Sequence, residues 1–129
     1  MTLPVTSLYA ALLTLLMLGL AASVIAKRAT TGISILHGDN MDLALSSRRF
    51  GNFIEYVPVA LLLMALMELQ SASGLWLNAA GGLLLAGRLL HAIGLDANNP
   101  KAPLRIIGGT LTLLSLVAAT LWLLKTRFF

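Results

Sequence analysis

The first chemistry in the chain lies in four side chains between positions 48 and 56. Arg48, Asn52, Glu55 and Tyr56 fall at i, i+4, i+7 and i+8, so a helix would stack them on one face. The stripe offers a guanidinium suited to carboxylates, an amide that both donates and accepts, and a carboxylate suited to an ammonium group. Together they fit a small zwitterionic ligand. The stripe opens an apolar run from Val59 to Met67. Charged groups at membrane depth usually face a bundle interior or a wet cavity and pair there. The plainer alternative makes Arg48 and Arg49 headgroup anchors, with Glu55 paired to one of them. Pro58 falls inside the run, where its ring removes a backbone hydrogen bond and kinks the helix.

A second cluster is Gly87-Arg88-Leu89-Leu90-His91. Arg88 and His91 are i, i+3 and share a helix face. Arg88 calls for a partner, and Glu55 is the expected one. His91 reads either as a satisfied interior histidine or as a binding residue opposite the first stripe. Gly81, Gly82, Gly87 and Gly94 would let helices approach closely. A third group, Ala102-Pro103-Leu104-Arg105, places Pro in a first helical turn and Arg105 just inside it, as an anchor or as a site residue. Lys27 and Arg28 close the first apolar segment, where cations suit the helix dipole. His37 and Asp39 are two potential ligands in a loop without a further His or Cys nearby, so no metal is expected.

The elements that carry these residues are membrane helices. Of 129 residues, 58% are hydrophobic and 11% charged, with a mean hydropathy of +0.90. A soluble domain carries about 25% charge. Four Leu- and Ala-rich segments, about 3–27, 42–69, 74–95 and 103–125, each supply most or all of the roughly 20 residues a span needs. The expected architecture is all-α: one four-transmembrane-helix bundle over residues 1–129, with no room for a soluble domain. The first segment carries its charges, Lys27 and Arg28, after the apolar run, the reverse of a secretory signal, so a retained helix is expected. Lys27, Arg28, Arg48 and Arg49 flank the first connection, and Lys101 and Arg105 the third. The positive-inside rule then puts both termini outside the cytoplasm, with Lys125 and Arg127 as exceptions. Tyr9 and Trp76 fit interfacial positions, and Glu68 is expected to be solvated at the outer end. The net charge of +4 comes from dispersed flanking residues, which excludes nucleic acid as a partner. With no cysteine, disulfides and a protein thiol nucleophile are excluded, and any thiol must come with the ligand.

The pattern Arg48-x-x-x-Asn52-x-x-Glu55-Tyr56-x-Pro58, followed by Arg88-x-x-His91 and Ala102-Pro103-Leu104-Arg105, resembles the MAPEG family (membrane-associated proteins in eicosanoid and glutathione metabolism). The likeness covers most of the chain in matching helix order and is nearest to small bacterial members with a Gly-Arg-Leu-x-His motif. It implies a homotrimer in a bacterial inner membrane, with glutathione as co-substrate bound between subunits near the cytoplasmic face. By the same resemblance Arg48 and Arg88 hold glutathione carboxylates, Glu55 accepts from its ammonium group, and Asn52 bonds its amides. Tyr56 and His91 line the pocket, Lys27 and Arg28 reach a neighbouring subunit's ligand, and Arg105 is the catalytic residue. The implied reaction is thiolate attack on a lipophilic electrophile or lipid hydroperoxide. One departure is Leu95, where many active members carry Tyr.

Two rivals remain at this stage. A small proton-coupled transporter of similar size rests on an acidic residue in an apolar span, and Glu55, among Arg and Asn, is the one candidate. A non-catalytic protein of the same fold that binds glutathione or lipid is favoured by Leu95.

Overall fold

In the computed structural model, residues 2–95, 99 and 102–128 are described. Most of the third connection, including the Lys101 charge used in the topology argument, lies outside them. Four helices follow in chain order: α1 Pro4–Thr31, α2 Met41–Leu69, α3 Gly74–Gly94 and α4 Pro103–Phe128. All four are long and apolar enough to cross a membrane. α2 continues through Pro58 without a break in the helix.

The first helix runs past the expected end. Lys27 and Arg28 mark the end of the apolar surface, whereas the helix goes on to Thr31 and stops at Gly32, whose φ of 71° is left-handed. Thr30 and Thr31 Oγ1 both donate to the Lys27 carbonyl, at 3.1 and 2.7 Å, and occupy an acceptor of the last turn. Glycine accepts the left-handed conformation without a Cβ clash. α2 starts one residue before the expected position because Asn40 caps it, its Oδ1 accepting from Leu43 N at 2.8 Å.

α2 and α3 each pack against both other helices, while α1 and α4 lie on opposite sides of that pair and do not pack on one another. The main core joins Leu13 of α1 to Phe53, Val57, Ala60 and Met64 of α2 and Ala80 and Leu84 of α3. A smaller core of Met67, Leu77 and Ala119 closes the end where α3 begins. The α3–α4 seam is the closest. A Cβ on Gly87 would meet Thr112 Oγ1 at 2.7 Å and the Gly108 carbonyl at 2.9 Å, and a Cβ on Gly94 would meet the backbone of Leu104 and Arg105. Gly82 does not serve such an approach, since the nearest atom is the Tyr9 hydroxyl at 3.9 Å. The outer surface is largely exposed Leu, Ile and Val, which a bilayer accommodates and water does not.

One expectation at the α3-start end is corrected. Glu68 is not simply solvated: its two carboxylate oxygens accept from Val5 N at 2.9 Å and Thr6 N at 2.8 Å. The first N–H groups of α1 lack intrahelical partners, and Leu3 supplies no side-chain cap, so a carboxylate from the neighbouring helix fills the place. Tyr9 lies against Gly81, which has no Cβ to block it, and its hydroxyl donates to the Asn78 carbonyl at 3.2 Å.

Candidate functional site

The site is organised by Arg88, only 3% exposed on α3. A buried cation needs its donors satisfied. Its Nη1 donates to Asn52 Oδ1 at 2.8 Å and to the Asn52 carbonyl at 3.3 Å on α2. Its Nε donates to Thr112 Oγ1 at 3.0 Å on α4. The Tyr56 ring lies 5.5 Å from the guanidinium carbon, within cation–π range. Three helices thus fix the direction of one guanidinium with neutral groups, and these contacts leave its charge uncompensated.

The expected Arg88–Glu55 pair does not form. Glu55 pairs instead with Arg48 two turns back on its own helix, Nη1 to Oε1 at 2.8 Å and Nη2 to Oε2 at 3.4 Å. The reason lies in the angle around α2. At 100° per residue the stripe is wide enough for Asn52 and Tyr56 to turn inward while Arg48 and Glu55 stay at its outer edge. The side chains of Arg48 and Glu55 are 60% and 48% exposed.

Asn52, Tyr56, Arg88 and His91 line a small cleft of about 70 Å³ with Gly109, Thr112 and Leu113. It adjoins a wider, open depression of about 440 Å³ that shares Asn52, Tyr56 and His91 and adds Arg105, Ile106 and Thr110. Arg105 is placed there by the first turn of α4, its backbone N donating to the Ala102 carbonyl at 3.1 Å. His91 faces the same space because Gly108 and Gly109 of α4 pass directly beside it. Five of the residues singled out in the sequence therefore converge. Arg48, Glu55, Lys27 and Arg28 do not line the cleft. Lys27 Nζ lies 3.9 Å from Asp42 Oδ2. Arg28 Nη1 donates to the carbonyls of Ile33 at 3.0 Å and Leu36 at 3.2 Å, tying down the first connection.

A model of the MAPEG family matches residues 6–125. The chain belongs to the MAPEG family. Among its MAPEG relatives are the inner membrane protein YecN of Escherichia coli K12 and its counterpart in Escherichia coli O6:H1, each 36% identical over 90 residues, or 70% of this chain and 69% of the relative. No solved structure matches.

Two residues have contacts that the sequence reading did not give them, Thr112 in the cleft and Arg49 beside it. Thr112 is the Nε acceptor of Arg88, and its hydroxyl donates to the Gly108 carbonyl at 2.9 Å. The spacing Gly108-x-x-x-Thr112 was a usable signal, because a small residue one turn before a hydroxyl marks a close helix contact. Arg49, read only as an anchor, donates from Nη2 to the Leu95 carbonyl at 2.7 Å and so ties the end of α3 to α2. Leu95, at the position where many active members carry Tyr, is 9% exposed.

Proposed function

We propose that this protein is a glutathione-dependent membrane transferase or peroxidase, assembled as a homotrimer in a bacterial inner membrane with both termini outside the cytoplasm. The observation that carries the reading is the convergence of Arg88, Asn52, Tyr56, His91 and Arg105, from three helices, on one continuous cleft at one end of an otherwise apolar bundle. Arg88, held by neutral acceptors, receives a glutathione carboxylate. Asn52 bonds a peptide amide, and Tyr56 and His91 shape the walls. Arg48 and Glu55 already stand as a cation and an anion side by side, the pattern that a zwitterionic end of the ligand would exchange with. Lys27 and Arg28 reach the ligand of a neighbouring subunit.

Arg105 is the catalytic residue. A free thiol has a pKa of about 8.5, so little thiolate is present at neutral pH. A guanidinium beside the sulfur stabilises the anion by charge and hydrogen bonding. The thiolate then attacks a lipophilic electrophile, forming a carbon–sulfur bond while a halide or similar leaving group departs with its electron pair, or, for an α,β-unsaturated carbonyl, while the C=C π bond breaks and the α-carbon takes up a proton. With a lipid hydroperoxide it attacks the terminal oxygen, breaking the O–O bond and releasing the alcohol once protonated. A second glutathione then converts the resulting sulfenic acid to glutathione disulfide and water.

The test is a thiolate absorbance titration of the purified protein with glutathione, wild type against Arg105→Ala. Thiolate at neutral pH that disappears in the variant is the expected result. The variant retaining both thiolate and turnover would remove Arg105 from this role. Leu95 favours a second reading, binding without turnover, which glutathione binding without thiolate in the wild type would select.

A further inference from the structure

The opposite end of the bundle holds a second built feature. A groove of about 420 Å³ between the start of α3 and the end of α4 is lined by Trp76, Ala118, Leu121, Trp122 and Lys125. The chain has two tryptophans, and both are here. Trp76 is 54% exposed, whereas Trp122 is half-buried against the small core of Met67, Leu77 and Ala119. On α4, Leu114, Val117 and Leu121 form a stripe of exposed apolar side chains that ends at Lys125. From Leu114 to Leu121 the apolar stripe runs about 10 Å along the helix, enough for about half of an acyl chain, with Lys125 one turn further on.

Lys125 stands at the mouth of this groove, and among the described residues no carboxylate pairs with it. The acidic residue closing α2 at the same end, Glu68, already has both oxygens on the N–H groups of α1. Lys125 is also an exception to the charge asymmetry of the connections, so the topology rule supplies no reason for a cation there.

We propose that this groove binds an anionic phospholipid, with the headgroup phosphate on Lys125, the glycerol region between Trp76 and Trp122, and one acyl chain along Leu121, Val117 and Leu114. Tryptophan is suited to the boundary between headgroup and chain, its ring apolar and its N–H able to bond an ester or phosphate oxygen. Lys125 supplies charge complementarity and can extend its stem along apolar surface to reach the phosphate. The site is remote from the glutathione cleft and independent of that reading.

Because both tryptophans line the groove, tryptophan emission, excited at the red edge where Tyr9 and Tyr56 do not absorb, reports on it. The full chain is reconstituted in phosphatidylcholine vesicles, with an equal mole fraction of lipid replaced by brominated phosphatidylglycerol or brominated phosphatidylcholine. Brominated phosphatidylglycerol is expected to quench with an apparent affinity about fivefold higher. Lys125→Met should abolish that preference, while Arg127→Gln, on another face of α4, should retain most of it. Trp76→Phe leaves Trp122 as sole reporter; loss of the Trp76 N–H should weaken quenching by both lipids, while the preference for phosphatidylglycerol, which rests on Lys125, should keep its direction. Equal quenching by the two headgroups in the wild type would overturn the proposal. So would a preference that survives Lys125→Met, or the absence of quenching by either lipid, which would mean that protein covers this face.

Discussion

Arg48 and Arg88 occupy facing helices at the same end of the bundle, yet they are held in opposite ways. Arg88 is buried, and its donors go to an amide, a carbonyl and a hydroxyl. Arg48 is exposed and neutralised by Glu55. A buried guanidinium without a counter-ion is costly, and it persists where neutral acceptors fix it and an anion can complete it. An exposed pair costs little and contributes little. In the proposed reading, Arg88 is the fixed, directional part of ligand recognition, and Arg48 with Glu55 is the exchangeable part.

The largest break in that contrast is expected from Arg88→Met. Glutathione affinity should fall about a hundredfold, the scale of losing a charge-assisted contact in a dry site. Arg88→Lys should rescue little, because one ammonium cannot reproduce the separate Nε and Nη1 directions toward Thr112 and Asn52. Calorimetric titration in detergent checks both, with circular dichroism confirming the helices. Near wild-type affinity in Arg88→Lys would show that charge alone suffices.

The spans, and the shared faces of Asn52 with Tyr56 and of Arg88 with His91, were legible in the sequence because they follow from spacing along single helices; that the two pairs meet in one cleft was implied only by the family resemblance. What was not legible depends on how helices are turned against one another. Glu55 and Asn52 share a stripe, and only packing decides which of them meets Arg88. Glu68 looked like a solvated terminus because its acceptor role needs the start of α1 beside it. The end of α1 was misplaced for another reason: Lys27 and Arg28 report where the apolar surface stops, and hydrogen bonding continues for a further turn. Thr112 was hidden because a hydroxyl in a Leu-rich helix usually bonds its own backbone, which it also does here.

The seam that positions Arg88 offers the next effect. Gly87→Ala would press a methyl group onto the Thr112 hydroxyl and onto the Gly108 carbonyl and Thr112 N of α4, and the two backbone atoms cannot rotate away. Overpacking of this kind costs about 1–3 kcal/mol, and resistance to unfolding in detergent should fall accordingly. Gly82→Ala on the same helix, where the nearest atom is the Tyr9 hydroxyl at 3.9 Å, should be neutral or stabilise by up to about 1 kcal/mol. Equal effects at the two positions would mean that the α3–α4 contact is looser than described. Thr112→Val should cost a further-reduced amount, about 1–2 kcal/mol, by leaving the Arg88 Nε donor buried without its acceptor. Thr112→Ser, which keeps the oxygen, should recover most of it.

The smallest effect on stability is expected at Glu55, and it sharpens the contrast most. Glu55→Gln removes half of a pair that is largely exposed, so the unfolding transition should move by less than about 1 kcal/mol. Binding is a different measurement. If Glu55 receives the ligand ammonium, Gln at this position should weaken glutathione by up to about tenfold while leaving N-acetylglutathione, which lacks that ammonium, almost unchanged. A uniform loss for both ligands would mean that Glu55 acts only by holding Arg48. No change for either would make the pair a surface anchor and leave recognition to Arg88 and its neutral shell.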